Sequence, residues 1–71
     1  MKINTNELRF ARNKTGLTQK DVAKVLNIRV ETYSLKERGL QQFTLEEFDK
    51  IINLFKSKKL KCKYENFILK Q

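Results

Sequence analysis

The sequence has no histidine, one cysteine (Cys62) and two glycines, so most of the side chains that enzymes rely on are missing. It offers no imidazole as general base or metal ligand and no cysteine cluster at zinc spacing. It also lacks a glycine-rich loop to cradle a phosphate, carboxylates spaced to pair in a pocket, and enough chain for a substrate cleft. These absences argue against an enzyme and against any metal or other cofactor. What remains is ionic and hydrogen-bonding chemistry. Sixteen Lys and Arg face eight Asp and Glu, leaving a net charge of +8 on 71 residues. Such an excess attracts polyanions, and nucleic acid is the commonest polyanion in a cell. The plainer use of the same charge is solubility.

The hydrogen-bonding residues concentrate in Leu17 to Gly39, "LTQKDVAKVLNIRVETYSLKERG", which reads as two short helices with almost nothing between them. Thr18 caps the first of the pair, and Asp21 three residues on completes a capping-box-like arrangement. Val22, Ala23 and Leu26 form its inner face. Asn27 takes the left-handed conformation that a tight helix exit needs, and Ile28 plugs the core. The next helix spans about Val30 to Arg38, and Gly39 stops it because glycine accepts positive φ without steric cost. Two helices joined by so tight a turn have the geometry of a helix-turn-helix. In that geometry the first helix crosses the phosphate backbone and the second enters the major groove. Ala23 fits a close helix crossing, although alanine is also an ordinary helix former.

The flanking segments supply the core. A helix from about Asn6 to Lys14, capped by Thr5 or Asn6, turns Leu8 and Ala11 inward. Another opens at Thr44 in "TLEE" and carries Leu45, Phe48, Ile51, Ile52 and Phe55 at spacings of three and four. After "KSKKLKCK" (56–63), "YENFILK" forms a final turn or helix. The expected fold is all-α, a compact five-helix bundle in a single domain, 1–71. No apolar run reaches signal-peptide or membrane-spanning length; a cytoplasmic protein without a membrane partner is the expectation.

"GLTQKDVAKVLNI", "TYSLKERG" and "FTLEEFDKIINLF" together resemble the Cro/repressor-type (XRE-like) helix-turn-helix family of phage and bacterial regulators, over about Leu8 to Phe55. The resemblance implies a five-helix, repressor-like domain that binds double-stranded operator DNA, commonly as a homodimer, with no sensor domain in so short a chain. It also implies site roles. Base readout falls to the outward positions Arg29, Val30, Glu31, Thr32, Ser34 and Leu35. Phosphate contacts fall to Thr18, Gln19, Lys20, Arg38, Gln41 and Gln42, and Gln19 can also brace the recognition helix. Arg12 and Glu37 match a partly buried ion pair tying the first helix to the third.

The reading face departs from the usual pattern of this family, in which Gln, Arg, Asn, Ser or Thr bond base edges. Arg29 stands where a Ser or Thr cap is common. Val30 and Leu35 suit thymine methyls, Glu31 accepts from cytosine, and Tyr33 turns inward with its hydroxyl at the rim. A protein-interaction module on the same scaffold, an antirepressor or a regulator's partner, is therefore the rival reading. The lysines of 56–63 resemble an insertion: a solvated, mobile loop, or a phosphate clamp if the loop lies on the groove side. Cys62, between Lys61 and Lys63, is a candidate for a lowered pKa. In the tail, Phe67, Ile68 and Leu69 are candidate dimer contacts, alongside the simpler reading of packing over the fourth helix.

Overall fold

The computed structural model describes residues 2–68. Four α-helices, α1 (Thr5–Lys14), α2 (Gln19–Leu26), α3 (Val30–Glu37) and α4 (Leu45–Ser57), precede a 3-10 turn at Tyr64–Phe67. The expected fifth helix is therefore only this one turn. Ile68 leaves it in extended conformation and forms an isolated antiparallel bridge with Ile3, so the chain is drawn out of helical geometry by pairing with the N-terminal segment.

Local sequence sets most helix ends. In α2 the Asp21 amide donates to Thr18 Oγ1 at 3.1 Å and the Thr18 amide donates to Asp21 Oδ2 at 2.9 Å. The same reciprocal box opens α4, between Thr44 and Glu47. Asn27 is left-handed at φ 58, and Gly16 and Gly39 have φ of 79 and 82. A Cβ on Gly39 would meet nothing nearer than Thr5 Cγ2 at 3.9 Å, so that glycine is needed for its dihedral and not for space. The start of α1 departs from expectation. Its cap is Asn4, whose Oδ1 accepts from the Glu7 amide at 3.3 Å. The Asn4 amide itself donates to the Phe67 carbonyl at 2.6 Å, so a contact from the far end of the chain positions this cap.

The core takes Leu8 and Ala11 from α1, Val22, Ala23 and Leu26 from α2, and Tyr33 from α3. Phe48, Ile51, Ile52 and Phe55 come from α4, and Phe43, Cys62 and Phe67 complete it. Leu45, expected inward, is 63% exposed: it is the first residue of α4, and the packed stripe begins one turn later at Phe48. Phe67 meets Phe48 and Phe55 at centroid distances of 6.2 and 6.1 Å, which docks the 3-10 turn on α4. No helix of the described residues is long and apolar enough to cross a membrane.

Candidate nucleic-acid interface

The position of α3 is fixed by a polar network on its inner side. Glu37, with a side chain only 1% exposed, accepts from Arg12 Nε at 2.7 Å and Arg12 Nη2 at 3.0 Å. It also accepts from Gln19 Nε2 at 3.1 Å and the Tyr33 hydroxyl at 2.6 Å. Arg12 Nη1 donates to the Leu17 carbonyl at 2.9 Å. One carboxylate thus joins α1, the start of α2 and α3, and every buried side-chain polar atom among the described residues has a partner. Burial alone would raise the Glu37 pKa, but the bonds from Arg12, Tyr33 and Gln19 outweigh it and leave the group below its ordinary value. Burial, followed by the bond to Glu37, pushes the Tyr33 phenol far above its ordinary value. The expected Arg12–Glu37 pair is present. Tyr33 goes deeper than the expected rim position and is fully buried.

A second anchor went unread in the sequence. Lys36 is 8% exposed; its ammonium donates to Glu47 Oε1 at 2.7 Å and to the Gln42 carbonyl at 3.1 Å. It also lies 5.9 Å from the Phe43 ring centroid. The signal was available, since i, i+3 spacing from Tyr33 places Lys36 on the inner side of α3, but a lysine reads as solvated unless its partner is known. The pair ties α3 to the capping box of α4 and to the loop between them.

With its inner side committed, α3 turns a different set of residues outward. Gln19, Val30, Glu31, Ser34, Leu35 and Arg38 line one shallow hollow across the α2–α3 junction. The structure therefore brings together four of the six expected base readers with two of the expected phosphate contacts. Arg29 and Thr32 are not among its lining residues. Arg29 is exposed and precedes α3 without making a side-chain capping bond among the described residues. Val30 also packs partly against the core. Gln19 donates to Glu37 through its side-chain amide. Thr18 and Lys20 are exposed at the start of α2, and Gln41 and Gln42 are exposed in the loop before α4.

The lysine-rich stretch is less loose than expected. Lys56 and Ser57 belong to α4, while Leu60 and Cys62 face the core and hold the segment down. Cys62 corrects a further expectation. Its buried thiol lies 4.0 Å from the Ile52 carbonyl, and burial pushes its pKa up, outweighing the opposing field of Lys56. In the tail, Phe67 is 3% exposed within the molecule's own core and so offers no dimer surface. Ile68 is half-buried in its bridge to Ile3, and Leu69 lies outside the described residues.

The arrangement of α2, its short turn and the outward α3 agrees with a family comparison: the helix-turn-helix model matches residues 8–60. The chain belongs to the helix-turn-helix family, of the Cro/repressor type. Searches of the curated proteins and of the solved structures find no match. Helix-turn-helix proteins of this type are DNA-binding regulators, and the ligand the family implies is double-stranded DNA. The matched span runs from Leu8 in α1 through Leu60, and so includes both polar anchors of α3.

Proposed function

We propose that this helix-turn-helix protein is a sequence-specific transcriptional regulator of the phage or bacterial repressor type, acting in the cytoplasm as a homodimer on duplex DNA and carrying no catalytic activity. The observation that carries the reading is the two-sidedness of α3. Its inner side is locked by Glu37 and Lys36, and its outer side leaves Glu31, Ser34, Leu35 and Arg38 beside Gln19 in one open hollow. A helix held this way presents side chains to base edges without a large rearrangement, while Thr18, Lys20, Gln41 and Gln42 flank it for phosphate. Arg29, at the head of α3, reaches guanine edges or phosphate.

The proposed reader is a single domain over residues 1–71. Two copies are required to span half-sites about one helical turn apart. Among the described residues, half-buried Ile68 is the apolar side chain of the tail left to contribute to a dimer seam.

Selection of bound sites from a random duplex pool tests the proposal. The expected result is an enriched motif with two related half-sites, and affinity that falls steeply with salt. Arg38→Ala weakens that binding and leaves the thermal transition unchanged. A pool without enrichment, together with no duplex binding at low salt, would favour the protein-interaction reading.

A further inference from the structure

The five lysines at 56, 58, 59, 61 and 63 are all exposed, and none forms an ion pair among the described residues. Their setting is not that of a free tail. Leu60 packs against the core and Cys62 is buried within it, so Lys59, Lys61 and Lys63 alternate with inward side chains. Backbone bonds hold the turn as well: the amides of Lys58 and Leu60 donate to the Phe55 carbonyl at 3.0 and 3.1 Å, and that of Lys59 to Lys56 at 3.0 Å. Such a segment displays its charges from an ordered backbone, with little chain entropy to lose when they meet a ligand.

One juxtaposition fixes where these charges lie, and the field at Asp21 agrees with it. Lys61 and Leu60 share a hollow with Phe10 and Lys14 of α1, which places the turn against the end of α1 that leads into α2. The Asp21 carboxyl, in the first turn of α2, sits below its ordinary pKa, chiefly through its bonds with Thr18 and then through the fields of Lys58 and Lys24. Four residues past Lys14 the chain reaches Thr18, so the turn lies beside the end of α1 that leads to Thr18, Gln19 and Lys20, the residues proposed to meet phosphate.

We propose that the lysine turn, led by Lys58 and Lys61, is a second contact surface for the sugar-phosphate backbone of duplex DNA, extending the footprint beyond α2 without adding sequence information. The inference rests on the DNA-binding reading given above. Each phosphate contact of this kind contributes about 0.9 to the slope of log affinity against log salt. Lys58→Gln/Lys61→Gln should therefore lower that slope by about 1.8, while the motif selected from a random pool stays the same.

Lys50 is the control, because its ammonium already lies 3.6 Å from Glu46 on the exposed side of α4. Lys50→Gln removes one charge and should leave the slope unchanged. Salt titrations of the full chain on its selected duplex and on a random duplex, with circular dichroism to confirm folding, decide the matter. If the double variant keeps the wild-type slope, or if Lys50→Gln lowers the slope equally per charge, the lysine turn is not a contact surface and the inference is overturned. If wild-type protein binds no duplex at all, the DNA-binding reading itself fails and takes this inference with it.

Discussion

The two polar anchors of α3 solve the same problem with different completeness. On the α1–α2 side, Glu37 is almost wholly buried and receives four hydrogen bonds, from Arg12, Gln19 and Tyr33. On the α4 side, the Lys36 ammonium has one carboxylate and one carbonyl, and Glu47 keeps a side chain 15% exposed. A buried charge is tolerable only when its partners replace most of its hydration. Glu37 meets that condition through three surrounding donors, whereas Lys36 meets it partly through the rim. The first anchor is therefore a keystone among three helices, and the second is a clasp between α3 and the α3–α4 loop.

The sharpest way to break the comparison is Glu37→Ala. It leaves a guanidinium, a phenol and an amide without their common acceptor, and loss of one partner of a buried pair costs about 3–5 kcal/mol. In a chain of this size that lowers the melting temperature by at least about 12 °C, which a thermal melt reads directly. A loss of under about 1 kcal/mol would show that the network is solvated and that the keystone description is wrong.

Acidification acts on both anchors together. Glu37 and Glu47 have folded pKa values below their ordinary ones, Glu47 because the bonds from Lys36 and Thr44 outweigh its burial. Their contribution is thus complete above the ordinary carboxylate pKa and is lost as pH falls through the folded values. Melting temperature should drop across the acid range in wild type and drop less steeply in Glu37→Gln. Parallel acid limbs for the two proteins would exclude Glu37 as a major titrating contributor.

Tyr33→Phe removes one donor and leaves Arg12 and Gln19 in place. Hydrogen bonds to charged groups contribute about 1.5–3 kcal/mol, so urea unfolding should show a loss in that range. A neutral outcome would mean that the hydroxyl bond does not support Glu37. Lys36→Met is expected to be the mildest change. Its stem is already packed and the capping box still holds Glu47, so stability should stay within about 1 kcal/mol of wild type. A loss as large as that of Glu37→Ala would erase the distinction between keystone and clasp.

Features set by neighbouring residues were legible in the sequence. Thr18 with Asp21, Thr44 before its acidic turn, left-handed Asn27 and the stop at Gly39 depend on contacts within a few positions, and each occurs where expected. The inward stripes of α1 and α2 follow from spacing alone, and the Arg12–Glu37 pair from likeness to a known pattern. Features set by distant contacts were not legible. Asn4 caps α1 because Phe67 holds its backbone, Lys36 is buried because Glu47 and Gln42 happen to face it, and Ile68 is extended because Ile3 pairs with it. Cys62 illustrates the same limit. Its lysine neighbours in sequence suggested a lowered pKa, but the residues packed around it in space decide the opposite.

The central claim, that the outer side of α3 meets duplex DNA, is tested most directly by backbone amide chemical shifts recorded while the protein is titrated with its selected duplex. The account predicts that the largest changes fall at Glu31, Ser34, Leu35 and Arg38, with a second group at Thr18 to Lys20. Changes concentrated on the far side of the molecule, with the α3 amides unmoved at saturation, would contradict it.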